Sequence, residues 1–135
     1  MPDVGILVGS ESDRAVMEGA TTELDERGIE WEFNVLSAHR NPREVAEYAT
    51  TAADRGIRVL ITGAGLAAAL PGVVAAHTEL PVIGVPLRSA KSVLDGLDAM
   101  LAIAQMPPGV PVACVGVDNS RNAAVLAARI LRLVN

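Results

Sequence analysis

The sequence predicts an α/β fold of three layers, a parallel sheet with helices on both faces. Two observations carry that expectation. Five short aliphatic runs alternate with five longer helix-like segments over 135 residues. The segments between runs are long enough to cross over the sheet, as parallel neighbours require.

The elements follow in order. Val4–Val8 is a continuous apolar run closed by Gly9-Ser10, as in a strand buried on both faces. Ser12 or Asp13 caps a helix running to about Arg27, with Gly28 as its stop. Trp31–Leu36 alternates weakly and reads as the second strand. Asn41-Pro42 supplies a cap and a first helical position for a helix to about Asp54, closed by Gly56. Arg58–Thr62 is the third strand, followed by Gly63-Ala64-Gly65 and a small-residue helix over Leu66–His77 that Pro71-Gly72 can interrupt. Pro81–Val85 is the fourth strand, and a loop through Arg88 and Lys91 leads to a helix near Leu94–Gln105. Pro107-Pro108-Gly109 breaks the chain before the fifth strand, Pro111–Val115, and Asn122–Val134 forms the last helix. The leading topology is a flavodoxin-like parallel sheet with strand order 2-1-3-4-5. With no internal repeat or linker, residues 1–135 read as one domain.

Half the residues are hydrophobic, yet only 2% are aromatic: Trp31, Phe33 and Tyr48. The core must therefore be aliphatic, and sites that rely on aromatic stacking, such as flavin sandwiches or single-stranded nucleic-acid platforms, are disfavoured. A formal net charge of −5 argues against a nucleic-acid partner. The single Cys114 excludes an internal disulfide and fits a reducing cytoplasm. No apolar run reaches the roughly 18–20 residues needed to span a bilayer, and no N-terminal signal pattern is present, so neither a membrane nor an export route is expected.

In an open parallel sheet, ligands bind beyond the carboxyl ends of the strands. That rule selects Gly9-Ser10-Glu11-Ser12-Asp13, Ser37-Ala38-His39-Arg40-Asn41-Pro42 and Gly63-Ala64-Gly65. The first is either a simple strand-to-helix turn or a small anion cradle, with Asp13 placed to bridge a ribose diol. It lacks the Gly-Lys-Ser/Thr ending of a Walker loop. His39 reads either as a surface histidine or as a proton carrier, since imidazole both gives and takes a proton near neutrality. Arg40 beside it can grip a phosphate or carboxylate in a bidentate pair. Gly63-Ala64-Gly65 reads as close helix–sheet packing, as backbone approaching a ligand, or as both. His77, at a helix end, reads as solvated or capping. Arg88 and Lys91 read first as solvated charges, with ligand contact as the alternative that their position after the fourth strand leaves open.

Taken in order, these loops closely resemble the PurE family of purine biosynthesis, whose bacterial and archaeal type is N5-carboxyaminoimidazole ribonucleotide mutase. The resemblance also takes in Leu70-Pro71-Gly72, Gly96-Leu97-Asp98, Gln105-Met106-Pro107, Gly109-Val110-Pro111-Val112, Asn122-Ala123-Ala124 and Leu126-Ala127-Ala128. It implies a cytoplasmic homo-octamer with active sites at subunit contacts. It also implies a reaction on a phosphoribosyl aminoimidazole and CO2 that needs no metal, ATP or other cofactor. By the same resemblance His39 shuttles the proton. Ser10, Ser12, Asp13, Ser37, Ala38 and Arg40 hold the ribose and phosphate end. Ala64, Gly65, Ala67, Ala68, Ala69 and Leu70 line the pocket for base and CO2.

The sequence also departs from that pattern. Ala69 stands where the family usually carries a histidine, and Leu66 replaces a common glycine. Val117–Arg121 differs from the usual approach to the last helix, and Arg88–Asp95 is slightly longer than usual. Arg40 with Gly63-Ala64-Gly65 resembles the mutase branch more than the branch that carboxylates aminoimidazole ribonucleotide directly. A non-catalytic nucleotide-binding or regulatory domain on the same fold is the reading of a different class. A receiver domain is discounted, because Gly63-Ala64-Gly65 stands where its phospho-acceptor aspartate belongs. A flavodoxin is discounted because none of the three site loops carries an aromatic.

Overall fold

A computed structural model of the chain describes residues 1–134. Its strands are β1 (Val4–Val8), β2 (Trp31–Val35), β3 (Val59–Gly65), β4 (Val82–Leu87) and β5 (Ala113–Cys114). The helices are α1 (Arg14–Glu26), α2 (Pro42–Thr51), α3 (Leu70–Ala76), α4 (Leu97–Ala104) and α5 (Ser120–Leu133). Every strand pairing is parallel, and the order is β2-β1-β3-β4-β5. The α/β fold class and strand order expected from the sequence are those observed.

Period-two alternation divides the strands between two apolar layers. Val4, Ile6 and Val8 of β1, with Val59 and Ile61 of β3, pack against Met17 and Leu24 of α1 and against Ala123, Ala124 and Ala127 of α5. Leu7 and Leu60 face the other way, toward Val45 and Ala49 of α2, Val74 of α3 and Ile103 of α4. Both faces are covered, which is why Val4–Val8 is apolar at every position.

Small residues let the outer elements approach closely. Gly19 of α1 faces Ser120, whose Oγ donates to the Val16 carbonyl at 2.6 Å. The same helix pair is tied by the buried Glu23, which accepts from Arg27 Nε at 2.7 Å and from Arg121 Nε at 2.9 Å. On the other face Tyr48 Oη donates to Glu32 Oε2 at 2.5 Å, and Arg55 donates to the same oxygen at 3.0 Å while lying over the Tyr48 ring. This cluster fastens α2 and the turn after it to β2.

Several boundaries differ from expectation. Gly63-Ala64-Gly65 belongs to β3, where Gly63, Ala64 and Gly65 pair with Val85, Pro86 and Leu87. The following helix begins at Leu70 rather than Leu66, because Leu66 (φ 56°) and Ala68 (φ 45°) are left-handed and cannot continue a right-handed helix. Pro71 then sits in its first turn, where a missing N–H costs little. α2 stops at Thr51, and a 3-10 turn over Ala53–Arg55 leads to the left-handed Gly56. β5 is only two residues long, shortened at its start by Pro111, which has no N–H for a ladder. Asp13 stands at the N-cap position of α1, as expected, but its side chain makes no capping hydrogen bond there; the side-chain cap lies one turn earlier, where Ser10 Oγ accepts from Ser12 N–H at 3.3 Å ahead of the 3-10 turn Glu11–Asp13.

Candidate active site

The strand register decides which loops meet. Val8 at the end of β1 is level with Val35 of β2 and Gly63 of β3. The Leu36 N–H donates to the Val8 carbonyl at 2.8 Å, extending the contact one residue past the sheet. The segments after β1 and β2 then touch, since a Cβ on Gly9 would lie 3.8 Å from Ser37 Cα. The serine loop and the His39-Arg40 loop therefore share one edge of the sheet, as the sequence predicted.

In the first loop Ser10 Oγ and Ser12 Oγ are 2.9 Å apart, and the Asp13 N–H donates to the Ser10 carbonyl at 3.0 Å. Two hydroxyls are thus held side by side at the head of α1. Partial burial raises the Asp13 carboxyl above its ordinary value of 3.8, partly offset by a backbone hydrogen bond at Ser10.

In the second loop the chain turns back on itself. Ser37 N–H donates to Asn41 Oδ1 at 3.1 Å, Asn41 N–H donates to the Ser37 carbonyl at 2.8 Å, and Arg40 N–H donates to Ser37 Oγ at 3.2 Å. With the polar groups at the base of the loop engaged, His39 and Arg40 at its tip are exposed. Sequence reasoning read Asn41 only as a helix cap. Its carboxamide instead braces the loop, and an Asn four residues after a Ser and directly before a Pro was the available signal.

The third segment corrects an expectation. Because Ala64 and Gly65 are strand residues, the loop that faces the site is Leu66–Ala69. Ala64, Ala68 and Leu70 are buried, giving this part of the edge an apolar wall, whereas Ala67 is exposed and Ala69 partly so. Gly65 is confined, since a Cβ there would approach the Leu87 carbonyl oxygen at 3.0 Å. His77 lies at the far end of α3 with Nδ1 2.9 Å from the Val73 carbonyl, a capping position away from this edge.

Two surface cavities, of about 620 and 470 Å³, open at the amino-terminal edge of the sheet. They are lined by residues such as Trp31 and Glu32, or Leu80 and Val82, and by none of the loop residues above. Chemistry-bearing side chains gather at the carboxyl edge, so that edge is the candidate site.

The family model described as AIR carboxylase matches residues 3–135. The chain belongs to this family. It is 55% identical to the N5-carboxyaminoimidazole ribonucleotide mutase of Pyrococcus abyssi, over 98% of this chain and 75% of that protein. It is equally 55% identical to the phosphoribosylaminoimidazole carboxylase of Schizosaccharomyces pombe, over 96% of this chain but 23% of that longer protein. The crystal structure of Treponema denticola PurE superposes with a TM-score of 0.87 at 34% identity, covering all of this chain and 83% of that one. Family and fold thus agree with the resemblance that the loops carried.

Proposed function

We propose that the protein converts N5-carboxyaminoimidazole ribonucleotide to 4-carboxy-5-aminoimidazole ribonucleotide, with His39 as the group that moves protons. The observation that carries this reading is the braced Ser37–Asn41 loop, which presents an exposed imidazole at the same edge of the sheet as the paired hydroxyls of Ser10 and Ser12.

The chemistry requires one proton in and one proton out. The N5–carboxylate bond breaks to release CO2, its electron pair stays on nitrogen, and that nitrogen takes a proton from His39. The ring C4 then donates an electron pair to the CO2 carbon. Loss of the C4 proton to His39 restores the aromatic ring and returns the imidazole to its first state. A single group of near-neutral pKa suffices for both transfers. Ser10, Ser12, Ser37 and Arg40 hold the phosphate, Asp13 accepts from the ribose, and Ala38 lies against the sugar. The apolar wall of Ala64, Ala68 and Leu70, with Gly65, Ala67 and Ala69, retains CO2.

A direct carboxylation of aminoimidazole ribonucleotide is the second reading, favoured by the 55% identity to the fungal carboxylase. Purified protein supplied with the N5-carboxylated nucleotide, or with the uncarboxylated nucleotide plus bicarbonate, separates the two. The mutase reading expects rapid turnover of the first substrate and loss of about 10²–10⁴-fold in His39→Asn. Turnover of only the second overturns it, and full activity in His39→Asn overturns the role of His39.

The assembly reading is a homo-octamer in the cytoplasm. It is supported by the exposed apolar side chains Val93, Leu94, Leu97 and Leu101. Sedimentation finding a stable monomer overturns it. No helix among the described residues is long and apolar enough to cross a membrane.

A further inference from the structure

We propose that Arg88 is a substrate-binding residue for the carboxylate that is transferred, parked on Asp95 until that carboxylate arrives. This rests on the mutase reading above and goes beyond it by assigning the charged end of the base.

Position is the first argument. β4 ends at Leu87, level with Gly65, so Arg88 emerges beside the Leu66–Ala69 loop. Val85 and Leu87 pack into the α1/α5 layer, and alternation sends the next side chain toward the opposite face, which holds Ala64, Ala68 and Leu70. β1, β3 and β4 are successive neighbours, so Arg88 stands two strand spacings, about 10 Å, from the serine loop. A ribonucleotide with its phosphate on Ser10, Ser12 and Arg40 reaches across β3 and turns the outer edge of its base toward β4.

The second argument is a fixed stem with a releasable head. The Arg88 N–H donates to Asp118 Oδ1 at 2.9 Å, and Asp118 N–H donates to the Pro86 carbonyl at 2.8 Å. The Arg88 guanidinium, by contrast, meets Asp95 through Nε at 3.2 Å, and the two side chains are 58% and 78% exposed. An exposed pair of this kind changes partners at little cost. Asp95 is presented by a tight loop base: it is left-handed (φ 52°), Gly96 follows at φ 98°, and Ser92 Oγ donates to Asp98 and accepts from Gly96 N–H.

The third argument is chemical. Substrate and product both carry the carboxylate as an anion, whereas CO2 between them is neutral. A guanidinium recognises the planar anion through two parallel hydrogen bonds. Arg88 therefore favours the two carboxylated nucleotides over the decarboxylated one, with Asp95 as the competing anion.

The test is calorimetric titration of wild type, Arg88→Gln, Arg88→Lys and Asp95→Asn with the 4-carboxylated nucleotide and with aminoimidazole ribonucleotide. Arg88→Gln is expected to weaken the carboxylated ligand at least about tenfold and the uncarboxylated one less than about twofold. Arg88→Lys falls between, and Asp95→Asn tightens only the carboxylated ligand. Asparagine tolerates the left-handed backbone, and unchanged melting temperatures confirm that each variant is folded. Equal effects on both nucleotides, or none, overturn the proposal. Failure of Asp95→Asn to tighten binding overturns the parking role. A wild type that discriminates between the nucleotides without turnover removes the mutase reading alone, and one that binds neither removes both.

Discussion

Ser37 and Asn41 clasp each other: Asn41 Oδ1 accepts from the Ser37 N–H at 3.1 Å while the Ser37 carbonyl accepts from the Asn41 N–H at 2.8 Å. The clasp closes the loop that carries His39. Asn41→Ala leaves the Ser37 amide without its side-chain acceptor and is expected to cost about 1 kcal/mol of stability. On the proposed mechanism, turnover should fall further than that loss explains, about tenfold in kcat, since a small misplacement of His39 would be costly. Steady-state kinetics beside a thermal melt checks this, and an unchanged kcat refutes it. Asn41→Asp keeps the acceptor and should retain most of the rate.

Asp13 is raised above 3.8 by burial, so its ionised form is less at home in the folded chain than in the unfolded one. Its contribution to stability is therefore present below the unfolded value and lost as pH rises through the folded one. At neutral pH Asp13→Asn should melt slightly higher than wild type while binding nucleotide about tenfold more weakly. A lower melting temperature, or unaltered affinity, contradicts this.

Glu23 has the opposite sign. Hydrogen bonds from Arg27 and then Arg121 hold its carboxyl below the ordinary 4.5. Its stabilisation is complete above that value and disappears as pH falls through the lowered one. Melts from pH 6 to about pH 3 should lose less stability in Glu23→Gln than in wild type, because the variant has no carboxylate there to protonate. Identical acid slopes in the two proteins rule out this tie between α1 and α5.

Gly65→Ala forces a methyl against the backbone oxygen of Leu87, 3.0 Å from the position of its Cβ. Backbone in a paired strand yields poorly, so a loss of about 1–3 kcal/mol is expected from overpacking. Denaturant titration measures it, and a midpoint equal to that of wild type would mean that β3 and β4 separate easily.

Ala69 occupies an ordinary helical conformation (φ −75°, ψ −22°) and is partly exposed, so a larger side chain fits there without strain. Ala69→His adds an imidazole at the edge of the Leu66–Ala69 loop and is expected to raise turnover severalfold. A rate equal to that of wild type shows that another group already serves in its place.

The strands and the two polar loops at their carboxyl ends were legible because they follow from local pattern; the strand order was the leading topology for such a fold, not something periodicity fixes. Continuous apolar runs mark doubly covered strands, and Asn41-Pro42 marks a helix start. The extent of β3 was not legible. Gly63-Ala64-Gly65 resembles a loop by composition, and only its pairing with Val85–Leu87 makes it strand. The start of α3 was hidden for the same reason: alanines and leucine favour helix, but the chain leaving β3 must turn through left-handed positions at Leu66 and Ala68.

By itself, the sequence determined the α/β class, the aliphatic core and the placement of Ser10, His39 and Arg40 at one end of the strands. These are properties of hydrophobic period and turn chemistry, which act over a few residues. The tertiary structure alone decided which polar groups hold which. The clasp of Asn41 on Ser37, the grip of Asp118 on Arg88 and the buried Glu23 between Arg27 and Arg121 depend on distances that only the packed sheet and helices bring about. Arg88 and Asp118 are 30 residues apart in the chain, and no local signal in the sequence couples them.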